Sequence, residues 1–215
     1  MLREGRGGGK RVSAATACAP PQELDIAAAA QAMRRLKQRP LFSIRQDDER
    51  LDAQLAAAGY EIVDPVVMYT LPIDRLTDRH IPPVTAFEIW EPLAIMEEIW
   101  QQGGIGAARI EVMRRVQVKT AIFARWRDRP AGVAFAGVHH DICMVHAVEV
   151  LPHQRRQGVA VWMMRRAAFW GAARGARYIC VLCVVKNQAA NALYRALGFE
   201  EAGRYHYRAL LEQGK

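Results

Sequence analysis

The chain lacks several features that would place a 215-residue sequence at once. Its longest unbroken apolar run, Tyr178 to Val185, falls far short of the ~20 residues a membrane-spanning helix needs. The opening Met-Leu-Arg-Glu-Gly-Arg has no apolar stretch of the kind found in a secretory leader, so a cytoplasmic address is expected by default. Four cysteines are too few for a disulfide framework. Cys180 and Cys183 have C-x-x-C spacing, but Tyr-Ile-Cys-Val-Leu-Cys-Val-Val reads as a buried strand. Residues three apart on a strand face opposite ways and cannot clasp one ion. His139-His140 and His206 have no supporting ligand spacing, so no metal is expected. Gly7-Gly8-Gly9-Lys10 lacks the Ser or Thr after the lysine and the apolar strand before the glycines that a P-loop requires. A flexible hairpin or tail is expected there.

About half the residues are apolar and the formal charge is +8. Residues 1–75 hold 11 basic and 10 acidic groups, and residues 76–215 hold 19 and 12, so the excess lies in the C-terminal part. Such a face attracts nucleic acid, an acidic protein or a polyphosphate cofactor, or serves ordinary solubility. Nothing in the sequence supports nucleic acid specifically. A homodimer stays open.

From Leu93 onward, elements follow in order. Leu93–Gln102 and Ile105–Arg115 read as helices broken at Gly103-Gly104. Val118–Arg127, Ala131–Val138 and Met144–Val150 read as strands. The apolar positions Ala160, Met163, Met164, Ala167, Ala168 and Gly171 have helical spacing, which predicts a helix from about Gln157 to Arg174, stopped by Gly175. The strand Tyr178–Val185, a helix from Gln188 to Leu197 ended by Gly198, and a last strand over 200–210 complete the series. Long apolar strands flanking a helix indicate an α/β fold with a mixed sheet.

The first 75 residues echo this ending. A shift of 139 lays Gly59-Tyr60-Glu61 on Gly198-Phe199-Glu200 and Asp48 on Asn187. It also lays Leu41-Phe42-Ser43-Ile44 on the Cys180 strand and Asp52–Ala57 on the Asn191 helix. With a gap, Asp25–Lys37 stands where the Gln157 helix stands. Residues 1–75 therefore read as a shortened copy of a half-domain and 76–215 as the main domain, with Pro65–Pro83 as the joint.

One segment carries chemistry: Val150-Leu-Pro-His-Gln-Arg155-Arg156-Gln157-Gly158-Val159-Ala160, between an apolar strand and an amphipathic helix. A helix N-terminus presents unpaired N–H groups and a positive dipole end, which suit a pyrophosphate. Gly158 lets the backbone approach an anion, small Ala160 avoids crowding it, and Arg155 and Arg156 add charged donors. In isolation the same residues would be a basic turn before a helix.

In this context Arg155-x-x-Gly158-x-Ala160 resembles the acyl-CoA signature of the GNAT (GCN5-related N-acetyltransferase) superfamily. Asn187-x(6)-Tyr194-x-x-x-Gly198-Phe199 is similar to that family's ending. The resemblance implies a twisted mixed GNAT sheet with helices on both faces, preceded by a shortened GNAT-like lobe. It further implies acetyl-CoA as cosubstrate and an amine as acceptor. The helix start Gln157–Val161, including Val159 and Ala160, would bind the pyrophosphate. The edges of Val148 and Val150 would pair with the pantetheine arm, and the Val150 N–H would polarise the thioester. Asn187 would bond the pantetheine, and Tyr194 would protonate the departing thiolate.

The general base is less legible. Many relatives carry a glutamate where this chain has Leu182. His146 and Glu149 are the candidates upstream. On a regular strand they face opposite ways, and His146 would share the face of Val148 and Val150 unless a bulge intervenes. A non-catalytic acyl-CoA-binding or regulatory module is the alternative reading. The N-terminal lobe could then serve dimerisation or substrate gating.

Overall fold

The computed structural model describes residues 1–19 and 25–210. The chain divides into two compact units: Met1–Met68 with Cys183–Gln188 and Ala202–Lys215, and Tyr69–Leu182 with Ala189–Glu201. Among the described residues, no helix is long and apolar enough to cross a membrane.

The second unit contains β4 (Ala86–Ile89), α4 (Ala94–Gln102), α5 (Ala107–Arg114), β5 (Val118–Trp126), β6 (Arg129–His139), β7 (Ile142–Val150) and α6 (Val159–Ala172). It also contains most of β8 (Tyr178–Val184) and of α7 (Gln188–Ala196). Strands β4 to β7 pair antiparallel in sequence order. Strand β8 returns through α6 to pair parallel with β7, because only a crossover can bring a strand back in the same direction. Strand β6 is buried from Ala131 to Val138, since both its faces are covered. A Cβ added at Gly132 would meet Met163 of α6. The next residue, Val133, lies in a cluster with Met96, Ile99 and Trp100 of α4. Helices thus cover both faces of a mixed α/β sheet, as the GNAT resemblance implied.

Helix α6 is buried at Met163, Met164, Ala167, Ala168 and Gly171, matching the sequence pattern. Its one buried charge, Arg165, is satisfied by the Leu76 carbonyl at 3.1 Å and the Asp78 carboxylate. Gly171 marks the close approach of helix and sheet: an added Cβ would lie 2.8 Å from Cys143 Cβ. Cys143, Cys180 and Cys183 are core residues, and Cys18 is exposed. Burial pushes the Cys143 thiol up to about 12, and Cys180 and Cys183 are also buried free thiols.

The first unit contains α1 (Lys10–Ser13), β1 (Ala15–Thr16), α2 (Ile26–Arg35), β2 (Leu41–Arg45), α3 (Glu49–Ala57), the start of β3 (Glu61–Pro72) and most of β9 (Glu200–Ala209). Strand β1 pairs parallel with β2, and β2 pairs antiparallel with β9. Met33, Phe42, Ile44, Leu51, Leu55 and Tyr60 form its core. Asp52 receives Arg208 Nε at 2.7 Å and Nη2 at 2.9 Å, together with His206 Nε2 at 2.7 Å. These donors hold its carboxyl at about 2.

Two expectations are corrected. Gly7-Gly8-Gly9-Lys10 is not a loose tail. Gly7 and Gly9 take positive φ, Gly8 N donates to Gly5 O, and Gly9 starts α1. Pro65–Pro83 contains the division between the units, but it begins as strand and not as a linker: Val67, Tyr69 and Leu71 alternate inward and β3 runs on through Pro72. The division between units falls inside that strand, at Met68/Tyr69.

At the positions related by the shift of 139 the helix ends have like backbone geometry. A shift of 139 carries Glu49–Ala57 onto Gln188–Ala196 and Glu61 onto Glu200, the first residues of β3 and β9. The closing bonds Gly59 N→Ala56 O (3.0 Å) and Tyr60 N→Leu55 O (3.0 Å) recur as Gly198 N→Arg195 O (2.9 Å) and Phe199 N→Tyr194 O (3.0 Å). One residue out of that register, α2 and α6 end alike: Gln38 N→Met33 O matches Ala176 N→Gly171 O. Lys37 and Gly175 take the left-handed position in the two turns.

Because Gly171 leaves no room beside Cys143, Gly171→Val is expected to cost about 2–3 kcal/mol by overpacking. That is roughly 4–12 °C in Tm for a chain of this size. Gly106→Ala, where an added Cβ meets nothing within 4 Å, is expected to cost no more than about 1 kcal/mol, the difference between glycine and alanine at the N-cap of α5. Paired thermal melts check this.

Candidate functional site

Past Val150 the chain leaves the sheet at Leu151, whose N–H donates to Ala131 O at 2.9 Å. It makes one 3-10 turn over Pro152–Gln154 and enters α6 through Gly158. Arg155 Nε donates to Val150 O at 3.1 Å, tying that guanidinium back to the strand end. Arg156 and Gly158 take left-handed φ of 63° and 78°. The N–H groups of Val161 and Trp162 reach Gly158 O. As N-cap, Gly158 supplies no side-chain acceptor, so the first-turn amides of Val159 and Ala160 are left for an outside partner. An added Cβ at Gly158 would meet no atom within 4 Å. The glycine is therefore called for by its φ, and the space in front of the amides is open. Arg155, Arg156 and Gln157 are exposed around that space.

The corresponding end of α2 differs. Its N-cap is Asp25, whose Oδ1 accepts from Ala28 N at 2.8 Å. There a carboxylate of the chain itself occupies the position that α6 leaves open.

Strand β7 separates from its parallel neighbour. The register with β8 runs from Ile142↔Tyr178 to Val145↔Val181 and stops three residues short of Val148. Val148 and Val150 are half-buried past that point, on the stretch the sequence assigned to pantetheine.

The expectation for His146 needs correction. Val133 pairs with Glu149 and Phe135 with His146, so Ala134 stands opposite two residues and a β-bulge lies between. Ala147 absorbs the extra residue at φ 54°, a conformation costing an alanine about 1–2 kcal/mol. Val133 and Phe135 share one face of β6, so the bulge turns His146 and Glu149 to that same face. Val150, paired with Gly132, faces the other way. His146 therefore does not share the face of Val150. Its ring packs on Phe135 at 4.7 Å between centroids. Glu149 is half-buried, and burial pushes its carboxyl above the ordinary value against the opposing pull of Arg155.

Tyr194, on α7, is 6% exposed. Its ring lies 6.0 Å from Tyr69 and 5.7 Å from Phe199, and the Tyr69 hydroxyl donates to Asn191 Oδ1 at 2.9 Å. Asn187 belongs to the first unit, exposed in the turn after β8, with its N–H on Val184 O at 3.0 Å. The second unit thus brings the phosphate-type loop, Val148, Val150, His146 and Glu149 onto one strand–loop–helix segment. Trp100, whose indole Nε1 donates to Ala147 O at 2.8 Å, was not anticipated. In the sequence it is one more apolar position of a helix. Among the described residues, no group of three His, Cys, Asp or Glu side chains could hold a metal.

Comparison with known proteins agrees with this architecture. The model of the acetyltransferase (GNAT) family matches residues 86–199. A GCN5-related N-acetyltransferase from Kribbella flavida superposes with a TM-score of 0.68 at 18% identity, covering 95% of this chain and 82% of that one. A conserved protein of unknown function from Staphylococcus epidermidis gives 0.72 at 13% identity, over 98% and 90%. A tandem GNAT protein from the clavulanic acid biosynthesis pathway gives 0.66 at 16% identity, over 87% and 69%. At these identities the structures share the fold alone. No curated protein matches the chain significantly.

The raised pKa of Glu149 fixes the sign of a pH effect. The unfolded chain ionises this group near the ordinary glutamate value of about 4.3, and the folded chain does so higher. Stability therefore falls as pH rises through that window, and the deficit persists above it. Glu149→Gln is expected to raise Tm at pH 7, by a few degrees at most because solvent screens the half-buried group. It should leave Tm unchanged at about pH 3, where both states are protonated. Melts at the two pH values distinguish this from a pH-independent packing effect.

Proposed function

The chain belongs to the acetyltransferase (GNAT) family, and we propose that it moves an acetyl group from acetyl-CoA to a primary amine by direct attack within a ternary complex. The observation that carries this reading is the uncapped N-terminus of α6 beside a stretch of β7 that has left its parallel neighbour. The amides of Gln157 to Ala160 and the Arg155 and Arg156 guanidinium groups bind the pyrophosphate, while the Val161 N–H is taken up by Gly158 O. Val148 and Val150 pair with the pantetheine as an added strand would. The Val150 N–H meets the thioester oxygen as charge grows on it.

The chemistry is simple to balance. The amine nitrogen bonds to the thioester carbon, the C–S bond breaks, and Tyr194 gives a proton to the departing thiolate. The proton shed by the amine passes to the face that carries His146 and Glu149. Glu149, with its proton affinity raised by burial, is suited to accept it, and so is an imidazole. Holding amine and thioester together supplies much of the acceleration. This chemistry suits a cytoplasmic enzyme, where acetyl-CoA is at hand.

The first unit is a degenerate repeat in this reading: β1–α2–β2–α3–β3 copies β7–α6–β8–α7–β9. Asp25 fills its anion position, so it binds no cofactor. A second reading, a binding module without turnover, is favoured by Leu182 standing where many relatives have glutamate.

Calorimetry is expected to give micromolar binding of one acetyl-CoA per chain, lost in Arg156→Glu/Gly158→Trp. Each charge-assisted bond removed is worth roughly 1.5–3 kcal/mol, or ten- to a hundredfold. His146→Ala, Glu149→Gln and Tyr194→Phe should retain binding. The variant of the true base should lose about 10²–10⁴ in turnover with an amine panel. No binding to the intact chain ends the enzyme reading, and binding without turnover favours the module.

A further inference from the structure

We infer that Trp100 is a positioning residue for acetyl transfer: its indole holds the bulge in β7, and the bulge is what brings His146 and Glu149 onto one face. The inference rests on the proposed acetyltransferase reading and adds to it a residue outside the family's sequence motifs.

A bulge spends one residue of ladder pairing and leaves a carbonyl without its regular cross-strand donor. Here that carbonyl belongs to Ala147, and Trp100 Nε1 donates to it at 2.8 Å. Ala147 has neither the freedom of glycine nor a polar side chain to steady a left-handed φ of 54°. Its conformation therefore depends on contacts from elsewhere. Trp100 is 0% exposed, so its indole N–H has no water to turn to if the bond is lost.

The same helix end reaches Glu149. Three residues beyond Trp100, Gly103 passes so close that an added Cβ would lie 2.4 Å from Glu149 Cδ. The turn is fixed by Gly103 N→Ile99 O at 3.1 Å and Ile105 N→Trp100 O at 2.8 Å. On the other side Phe135 stacks between His146 and Trp90, at 4.7 and 5.8 Å. One end of α4 therefore sets both the backbone of the bulge and the space its acidic neighbour occupies. Without the bulge, alternation along the strand would send His146 and Glu149 to opposite faces.

Trp100→Phe keeps an aromatic ring in the core but removes the N–H together with part of the ring volume, so rescue by a second substitution separates the lost bond from the lost packing. Its acetyl-CoA affinity is expected to stay within about twofold of the parent chain, because the α6 loop is untouched. Its kcat is expected to fall by about a hundredfold, the effect of misplacing a reacting group by roughly an ångström. Adding Ala147→Gly to this variant should restore at least about tenfold of the loss, since glycine adopts the left-handed conformation without help. Gly103→Ala should lower kcat with cofactor affinity again unchanged.

A kcat for Trp100→Phe equal to that of the parent overturns the inference. So does a fall matched by equal loss of acetyl-CoA binding, or a fall that Ala147→Gly does not relieve. An intact chain that turns over no amine instead sinks the acetyltransferase reading on which the inference stands.

Discussion

Strand β7 carries one residue more than β6 can pair, and Ala147 takes up the surplus in a left-handed conformation supported by the Trp100 indole. The faces of the strand swap at that point. Below it, the ladders to β6 and β8 are regular and Cys143 and Val145 are buried. Above it, the register with β8 has ended, Val148 and Val150 are only half-buried, and two titratable groups share one face. A strand that stayed regular would pair to its end and would turn those groups apart. The open edge of β7 and the placement of its polar groups thus share one cause.

The second half of the site follows from how helices begin. Every helix starts with amides that lack intrahelical partners, and α2 and α6 treat them differently. At α2, Asp25 supplies a carboxylate from the chain itself. At α6, a left-handed glycine supplies none, and exposed arginines surround the gap. Two helices with matching C-terminal turns therefore have opposite characters toward anions, through a change of N-cap.

Charge is handled by pairing wherever it is buried. Arg165 lies among the apolar residues of α6 only because Asp78 and the Leu76 carbonyl meet it. Asp52 keeps its charge beside β9 because Arg208 and His206 converge on it. Glu149 is the departure from this pattern: burial raises its pKa, and only the field of Arg155 opposes the shift. Such a group is a poor contributor to stability and a good proton acceptor.

The sequence by itself determined the order of elements from α4 to β9, the core face of α6, and the strand–loop–helix segment at Arg155–Ala160. Helical period, alternation and turn glycines are local signals. It also revealed the echo of 139 residues, because Gly59 and Gly198 end equivalent helices and must take the same left-handed φ. Tertiary structure alone decided that β3 runs unbroken through two prolines, and that Gly7–Lys10 folds into a turn and helix. It also decided that His146 faces with Glu149 and not with Val150. A bulge depends on how many residues the neighbouring strand offers and on a donor arriving from a distant helix. Neither Trp100 nor Ala147 differs in the sequence from an ordinary apolar position, so the pairing that gives them their role exists only once the sheet and α4 have met.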